Sequence, residues 1–437
     1  MTLQAETTEH AGGPGAQQGL GKAVIVGQGY VGLPVAARAV EAGYTVIGLD
    51  TDQRRVDRLA KGTSFVEDID DEALAEMLAS GRYRPTANAE EAEGFRVAVI
   101  SVPTPLREGS PDLSYVTSAA ETIGRYLSPG ATVILESTTY PGTTEEVVQP
   151  ILEAASGLQA GPDFHLGYSP ERIDPGNRKW TLANTPKVVS GIDAPSLAAV
   201  KGFFDRLVQQ TVPVRGTREA ELTKLLENTF RHVNVALVNE LAMFAADLGI
   251  DIWEAIDAAS TKPFGYLRFT PGPGVGGHCL PVDPSYLSWR VKQRLGHSFR
   301  FVELANDVND HMPDYVAARL MATFNRQRRC VNGSRVLLLG MAYKRNTGDA
   351  RESPSMVVAQ RLRQLGADVV VSDPHVMVDE VADDLKWVEA NEAEVKAADA
   401  VVLLVDHDAF DLQAIVAQAR YVLDTRHVVA GENVEHL

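Results

Sequence analysis

Cysteine is nearly missing from this chain of 437 residues, which has only Cys279 and Cys330. Two thiols do not make a disulfide framework, so small disulfide-stapled scaffolds are excluded. Positive charge is also short. With 41 Lys and Arg against 58 Asp and Glu, the formal net charge is -17. That balance argues against broad binding to nucleic acid or acidic membranes, while leaving room for a local basic pocket that takes phosphate. No uninterrupted apolar stretch reaches membrane-spanning length. Residues 1–20 contain no Lys or Arg and no apolar core, so they read as a disordered tail and not as a secretory signal or transit peptide. A hydrophobic content of 45% is ample for buried cores, and the length suits two to four domains of a cytoplasmic enzyme.

The scarce thiol sits in an unusual place. Cys279 follows Pro271-Gly272-Pro273-Gly274-Val275-Gly276-Gly277-His278 and precedes Leu280-Pro281-Val282-Asp283-Pro284. Glycines let backbone approach a ligand closely, so a thiol among them is presented as a nucleophile and not packed away as a small hydrophobe.

From Lys22 the chain reads as a βαβ unit. Ala23-Val24-Ile25-Val26 suits a buried parallel strand and runs directly into Gly27-Gln28-Gly29-Tyr30-Val31-Gly32. A helix follows through Leu33 to Ala42, stopped by Gly43, and the next strand ends at Asp50. Gly27 allows the tight turn, Gly29 the approach of backbone amides to a pyrophosphate, and Gly32 close helix-to-strand packing. Asp50 stands where a carboxylate bonds ribose hydroxyls and repels a 2′-phosphate, which favours NAD over NADP. Further strands at Arg96–Ser101 and Ala131–Ser137 end in loops that hold Thr104 and Thr138, where open parallel sheets bind ligands.

A long helical stretch is expected from Arg218 to Ala259. Leu222, Leu225, Leu226, Val233, Leu237, Leu241 and Phe244 recur near helical spacing and predict a wide apolar face. Lys224 and Asn228, four apart, share another face; by spacing alone they read as a solvated Lys beside a surface Asn. A second βαβ pattern begins near Ser334, with strands at Arg335–Gly340, Ala367–Asp373 and Ala400–Val405 and a helix from Ser355 to Leu365. This half lacks GxGxxG. Its loop from Tyr343 to Pro354 carries Lys344, Arg345 and Arg351, suited to a diphosphate or simply solvated. The fold class is therefore α/β: two Rossmann-like parallel-sheet domains joined by a helical middle domain with a long central helix. The expected divisions are a tail at 1–20, an NAD-binding Rossmann domain at 21–215, a helical central domain with the Cys loop at 216–315, and a C-terminal Rossmann-like domain at 316–437 that binds something other than a second dinucleotide.

Taken in order, Gly27–Gly32, Val102-Pro103-Thr104-Pro105, Ser169-Pro170-Glu171, Glu221-Leu222-Thr223-Lys224 with Asn228, Gly276-Gly277-His278-Cys279, Asp283 and the Lys344 to Arg351 loop resemble the UDP-glucose/GDP-mannose dehydrogenase family. These are nucleotide-sugar 6-dehydrogenases that take four electrons from one alcohol. The resemblance implies that Asp50 and Arg55 hold the adenosine ribose, that Tyr30 and Val31 belong to the dinucleotide turn, and that Thr104, Thr138 and Arg351 line the NAD site. It implies that Lys344 contacts the substrate diphosphate, with Arg172, Gly276 and His278 as further substrate contacts. It also implies a homodimer built on the long helix, with no metal.

The implied chemistry uses Cys279 to hold the aldehyde as a thiohemiacetal and then as a thioester, which water hydrolyses. Lys224 and Asn228 stabilise charge developing on oxygen, with Thr138 beside them; Glu171 is the hydrolytic base and Asp283 organises the water. The Ser169–Gly176 segment looks like the branch acting on UDP-N-acetylhexosamines, because UDP-glucose members more often carry Phe after this Glu and a second acid where Pro175 stands here. UDP-N-acetylglucosamine or an epimer is the favoured substrate and UDP-glucose the alternative. A single-hydride hydroxyacid-type dehydrogenase would need no thiol, and a non-catalytic sugar-nucleotide binding protein would not need every catalytic position filled.

Overall fold

The computed structural model describes residues 19–66, 68–107, 109–174, 177, 179–277, 280–377 and 385–437. Most of the expected tail therefore lies outside the described residues, as do His278, Cys279, Pro175 and Gly176. By contact the chain divides into two compact units: residues 1–103, 116–137 and 144–216, and residues 104–115, 138–143 and 217–437. Among the described residues no helix is long and apolar enough to cross a membrane.

The first unit is built on six strands: β1 (Lys22–Val26), β2 (Thr45–Leu49), β3 (Tyr83–Thr86), β4 (Val97–Ile100), β5 (Thr132–Leu135) and β6 (His165–Tyr168). They lie in the order β3-β2-β1-β4-β5-β6, all parallel, with Ala23 opposite Val46 on one side and Val97 on the other. The order reverses at β1, so a crevice opens at its carboxyl end, where doubly wound sheets bind dinucleotides. The central strands β1, β2, β4 and β5 can be short runs of mainly apolar, buried residues because helices cover both faces. The helix Gly32–Ala42 buries Leu33, Val35, Ala36, Ala39 and Val40 against that sheet and ends at Gly43, whose φ of 103° is open to glycine.

The second unit holds a sheet of the same order. Strands β7 (Arg335–Leu339), β8 (Asp368–Ser372), β9 (Lys386–Trp387), β10 (Ala400–Leu403), β11 (Val422–Asp424) and β12 (Val434–His436) align in parallel as β9-β8-β7-β10-β11-β12. The helix Arg300–Arg326 sends Met312, Val316, Leu320 and Phe324 into the core of this sheet, and its earlier turns pack Ala305 and Val308 on Ala236 of the long helix.

Two expectations for the helical middle are corrected. The stretch from Arg218 to Ala259 is two helices, Thr217–Leu248 and Ile252–Ser260. Gly249 takes a φ of 69°, and the Asp251 carboxylate caps the new helix by accepting from the amides of Trp253 and Glu254. The expected apolar face is not the one this unit buries. Leu222, Leu226, Leu237, Leu241 and Phe244 are exposed, while Glu221, Lys224, Leu225, Asn228, His232, Ala236, Asn239 and Ala242 are buried. Periodicity shows that a helix has an apolar stripe but not which neighbour covers it.

Candidate active site

The dinucleotide turn separates its three glycines by role. A Cβ on Gly27, at φ 89°, would stand 2.4 Å from the Ser101 carbonyl oxygen, and one on Gly32 would stand 1.8 Å from that of Gly27. Both are required by the protein itself. A Cβ on Gly29 would meet nothing within 4 Å. The space beside Gly29, just ahead of the Gly32–Ala42 helix, is a cradle that suits a pyrophosphate at a helix N-terminus. The half-buried Tyr30 and Val31 complete the turn.

Asp50 is buried at the end of β2. Its Oδ2 accepts from the Gln28 amide at 2.9 Å and its Oδ1 from the Asp52 amide at 2.9 Å. Each carboxylate oxygen has a second acceptor site, so ribose hydroxyls can still be bound. Arg55 Nη1 lies 3.9 Å from Asp50 Oδ2 on a half-exposed side chain. These residues fit NAD. Gln28 was not legible as a site residue. It is fully buried, its amide donates to Ile25 O at 2.8 Å, and its Oε1 accepts from Tyr83 OH at 2.7 Å, locking the turn to the sheet. Its signal is the Gly48 opposite it, where a Cβ would fall 2.5 Å from Gln28 Oε1.

Also in the first unit, Glu171 is buried after β6. Its Oε1 accepts from the Arg172 and Ile173 amides at 2.6 and 2.5 Å, and its Oε2 from Lys187 Nζ at 3.0 Å. Arg172 turns its guanidinium to the Pro186 carbonyl at 2.6 Å. Lys187 and its second partner Glu136 escaped the sequence reading. Their signal is a charge set flush against the buried strands Lys187–Val189 and Thr132–Leu135.

In the second unit, Thr104 is buried and its hydroxyl donates to the Thr138 carbonyl at 2.8 Å, so the two strand-end threonines are held together. The loop beyond Thr138 is fastened to the long helix: Gly142 N–H donates to Glu221 Oε2 at 2.5 Å. One and two turns on, Lys224 and Asn228 are buried as well, and Asn228 Nδ2 donates to Asp283 Oδ2 at 2.6 Å. Burial pushes the Asp283 carboxyl up to about 6, with the Lys224 charge and the Asn228 bond opposing it. An ammonium, an amide and a carboxylate are thus assembled out of water from positions 224, 228 and 283. That is a set of groups able to stabilise an oxyanion and orient a water.

Cys279 and His278 lie outside the described residues, but the run leading to them does not. Gly272 N–H donates to Asn239 Oδ1 at 3.0 Å. Asn239 Nδ2 donates to Asn309 Oδ1 at 2.9 Å, and His232 Nε2 meets Asn306 Oδ1 at 2.7 Å, forming a buried polar row under the loop. Burial lowers the His232 pKa, against the Asn306 bond that raises it. The later glycines admit the protein's own chain: a Cβ on Gly276 would stand 2.7 Å from the Glu352 carbonyl oxygen and one on Gly277 2.7 Å from the Tyr343 ring.

The loop that supplies those neighbours is the one with three cations. Arg345 is not available to a diphosphate, because it pairs with Asp406 at 2.8 Å and with Asp408. Arg351 folds onto Asp349, Nε to Oδ1 at 2.8 Å and Nη2 to Oδ2 at 2.5 Å. Lys344 is half-buried. Asn346 and Glu352 hold φ values of 57° and 50°, a strained conformation for side-chain-bearing residues that cluster at functional loops. The loop is braced by His407, whose Nδ1 accepts from the Asn346 amide at 2.9 Å and whose Nε2 meets Asp373 Oδ2 at 2.9 Å.

Comparison with known proteins finds matches over most of the chain. Residues 21–212 match the NAD binding domain of the UDP-glucose/GDP-mannose dehydrogenase family, 218–311 its central domain and 337–431 its UDP binding domain. A UDP-N-acetyl-D-mannosamine dehydrogenase of Pyrococcus horikoshii is 34% identical over 411 residues, covering 93% of this chain and 95% of that protein. A UDP-N-acetyl-D-glucosamine 6-dehydrogenase of Pseudomonas aeruginosa is 36% identical over 393 residues, covering 89% and 91%. A solved structure of the Pyrococcus horikoshii UDP-N-acetylmannosamine enzyme superposes with a TM-score of 0.86 at 32% identity, covering 95% of this chain and 98% of that one.

Proposed function

Because this chain belongs to the UDP-glucose/GDP-mannose dehydrogenase family and is an NAD-dependent nucleotide-sugar dehydrogenase, we propose that it oxidises the C6 alcohol of a UDP-N-acetylhexosamine to the uronic acid through a thioester on Cys279. The observation that carries the reading is the burial of Lys224, Asn228 and Asp283 around one 2.6 Å hydrogen bond. Burying such groups is unfavourable unless they are paired, and packing alone gives no reason for them.

Bound NAD supplies the hydride acceptor for both oxidations. When the C6 alcohol has become an aldehyde, the Cys279 thiolate adds to its carbonyl carbon, and the Lys224 ammonium and Asn228 amide carry the charge that develops on oxygen. The thiohemiacetal is then oxidised to the thioester. Water, oriented by Asp283, adds to the thioester carbonyl and gives a proton to Glu171; the C–S bond breaks and sulfur leaves as thiolate. Thr138 completes the polar wall, and the half-buried Lys344 is the diphosphate contact. With burial holding Asp283 at about 6, it is ionised at neutral pH and balances the charge of Lys224.

The substrate class rests on the Ser169–Gly176 segment and on two relatives whose named sugars differ in configuration at C2. UDP-N-acetylglucosamine or an epimer is the favoured substrate and UDP-glucose the alternative. The exposed leucines and phenylalanine of the long helix support a homodimer formed along that helix, since a contiguous apolar stripe of this kind marks an interaction surface. The enzyme works in the cytoplasm, where its two cysteines stay reduced. The test is NADH formed per sugar consumed, with UDP-N-acetylglucosamine, UDP-N-acetylgalactosamine, UDP-N-acetylmannosamine and UDP-glucose in parallel. About two NADH per sugar with an N-acetylated substrate is expected for the covalent route. About one, or a preference for UDP-glucose, overturns the thioester or the substrate assignment respectively.

A further inference from the structure

Three ionisable side chains share one dry pocket in the first unit, and only Glu171 has a part in the chemistry above. Lys187 is 2% exposed and Glu136, just after β5, is 1% exposed. The Lys187 ammonium bridges the two carboxylates, bonding Glu136 Oε1 and, at 3.0 Å, Glu171 Oε2, with the Phe204 ring centred 5.1 Å away. Glu136 Oε2 is buried with no hydrogen-bond partner among the described residues. Two carboxylates and one ammonium leave a net negative charge out of water, which is strongly unfavourable. A single proton removes that charge, and the open oxygen of Glu136 is where it fits.

We propose that Lys187 and Glu136 are positioning residues for thioester hydrolysis: Lys187 fixes the Glu171 carboxylate, and Glu136 is the second proton site of a Glu-Lys-Glu unit that sets when Glu171 acts as a base. This rests on the reading of Glu171 as the hydrolytic base. As the water oxygen bonds to the thioester carbon, its proton passes to Glu171; the carbonyl re-forms, the C–S bond breaks and the thiolate departs. Glu171 then releases that proton to solvent, and the proton that Glu136 holds below about pH 7 offsets the charge of the Glu171 carboxylate between turnovers. Titration is consistent with this role. Burial pushes Glu136 up to about 7, with the Lys187 charge opposing and the Glu171 charge adding. Burial pushes Lys187 down, but the Glu136 and Glu171 carboxylates outweigh it and hold it above its ordinary value. The charged groups facing Glu136 are Lys187 and Glu171, since Arg172 is turned to the Pro186 carbonyl.

The experiment follows deacylation of the full-length enzyme, given NAD and the UDP-sugar it accepts, by rapid quench and intact mass across a pH series. Glu136→Gln removes the group raised to about 7, so the step that its titration puts into the deacylation profile near that pH is lost. Lys187→Met slows deacylation roughly 10- to 100-fold, as loss of part of a general-base contribution does, and more than it slows the first NADH burst. Lys187→Met strands two buried carboxylates, so if it does not fold, Glu136→Gln, which is isosteric and removes a charge, decides alone. A folded Glu136→Gln enzyme with the wild-type pH profile overturns the proposal. Glu171→Gln separates the two levels: if it deacylates at the wild-type rate the base assignment itself fails, whereas if it traps the acyl-enzyme while Glu136→Gln stays normal, only the positioning role fails.

Discussion

Asp283 offers a sharp test because its cost to stability and the catalytic role proposed for it have the same origin. The carboxyl is raised from 3.8 to about 6 in the fold, chiefly by burial. The folded state therefore binds this proton more tightly than the unfolded state does. Stability contributed by the neutral form is present below pH 3.8, falls as pH rises, and is fully lost above about 6. The loss is about 3 kcal/mol at pH 8 and roughly half of that at pH 5. Asp283→Asn keeps an acceptor for Asn228 Nδ2 and cannot titrate. Charges common to both proteins cancel in the difference, so the variant should gain on the wild type by roughly 1 to 2 kcal/mol between pH 5 and pH 8, while kcat falls. Urea unfolding followed by tryptophan fluorescence measures this, since Trp253, Trp289 and Trp387 all lie in the same unit as Asp283. A variant-minus-wild-type difference that is flat across this range would falsify the buried-carboxylate argument.

The glycines of the dinucleotide turn should respond in opposite ways. Gly29→Ala leaves thermal stability within about 0.5 kcal/mol but raises the KM for NAD roughly tenfold, whereas Gly32→Ala lowers stability by about 3 kcal/mol or more because its Cβ has no room. Equal thermal shifts in the two variants would contradict the division of roles. Under the proposed dimerisation along this stripe, the wild type should show a dimer's mass in light scattering and Leu226→Asp combined with Phe244→Asp a monomer's; the same mass for both would refute a dimer built on it. Asn239→Ala leaves the Gly272 amide without its partner and should cost about 1 to 3 kcal/mol, visible as a lower Tm together with reduced thioester formation; full activity would show that the thiol loop needs no such anchor.

Much of this was legible in the sequence because it depends on neighbours in the chain. A strand, three glycines, a helix and a terminal Asp occur within about thirty residues and specify their own geometry. Gly249 and Asp251 also announced a helix end and a new cap, and the apolar repeat running past them hid it. What stayed hidden depends on partners far along the chain. Asn228 and Asp283 are 55 residues apart, and Lys187 meets Glu136 across 51. By spacing alone, Lys224 and Asn228 looked like solvated residues. Whether Arg345 served a diphosphate or was simply solvated stayed open in the sequence because Asp406 and Asp408, which pair with it, come some sixty residues later.

The inverted long helix ties these points together. A surface helix ordinarily buries its large apolar side chains and exposes its polar ones. Here Glu221, Lys224, Asn228, His232 and Asn239 are the buried set, and for four of them a partner is a group that forms or supports the site: the Gly142 amide for Glu221, Asp283 for Asn228, Asn306 for His232 and the Gly272 amide for Asn239. At about 1.5 Å of rise per residue, one rigid element fixes the strand-end loop, the carboxylate and the thiol loop over roughly 27 Å. Each buried polar group is tolerated only because it is paired, so little net stability comes from that face. The opposite face carries Leu222, Leu226, Leu237, Leu241 and Phe244, whose apolar area returns about 25 cal/mol per Å² once covered. A partner along that stripe would supply the stability that the buried polar face does not, which would link assembly to the rigidity of the candidate site.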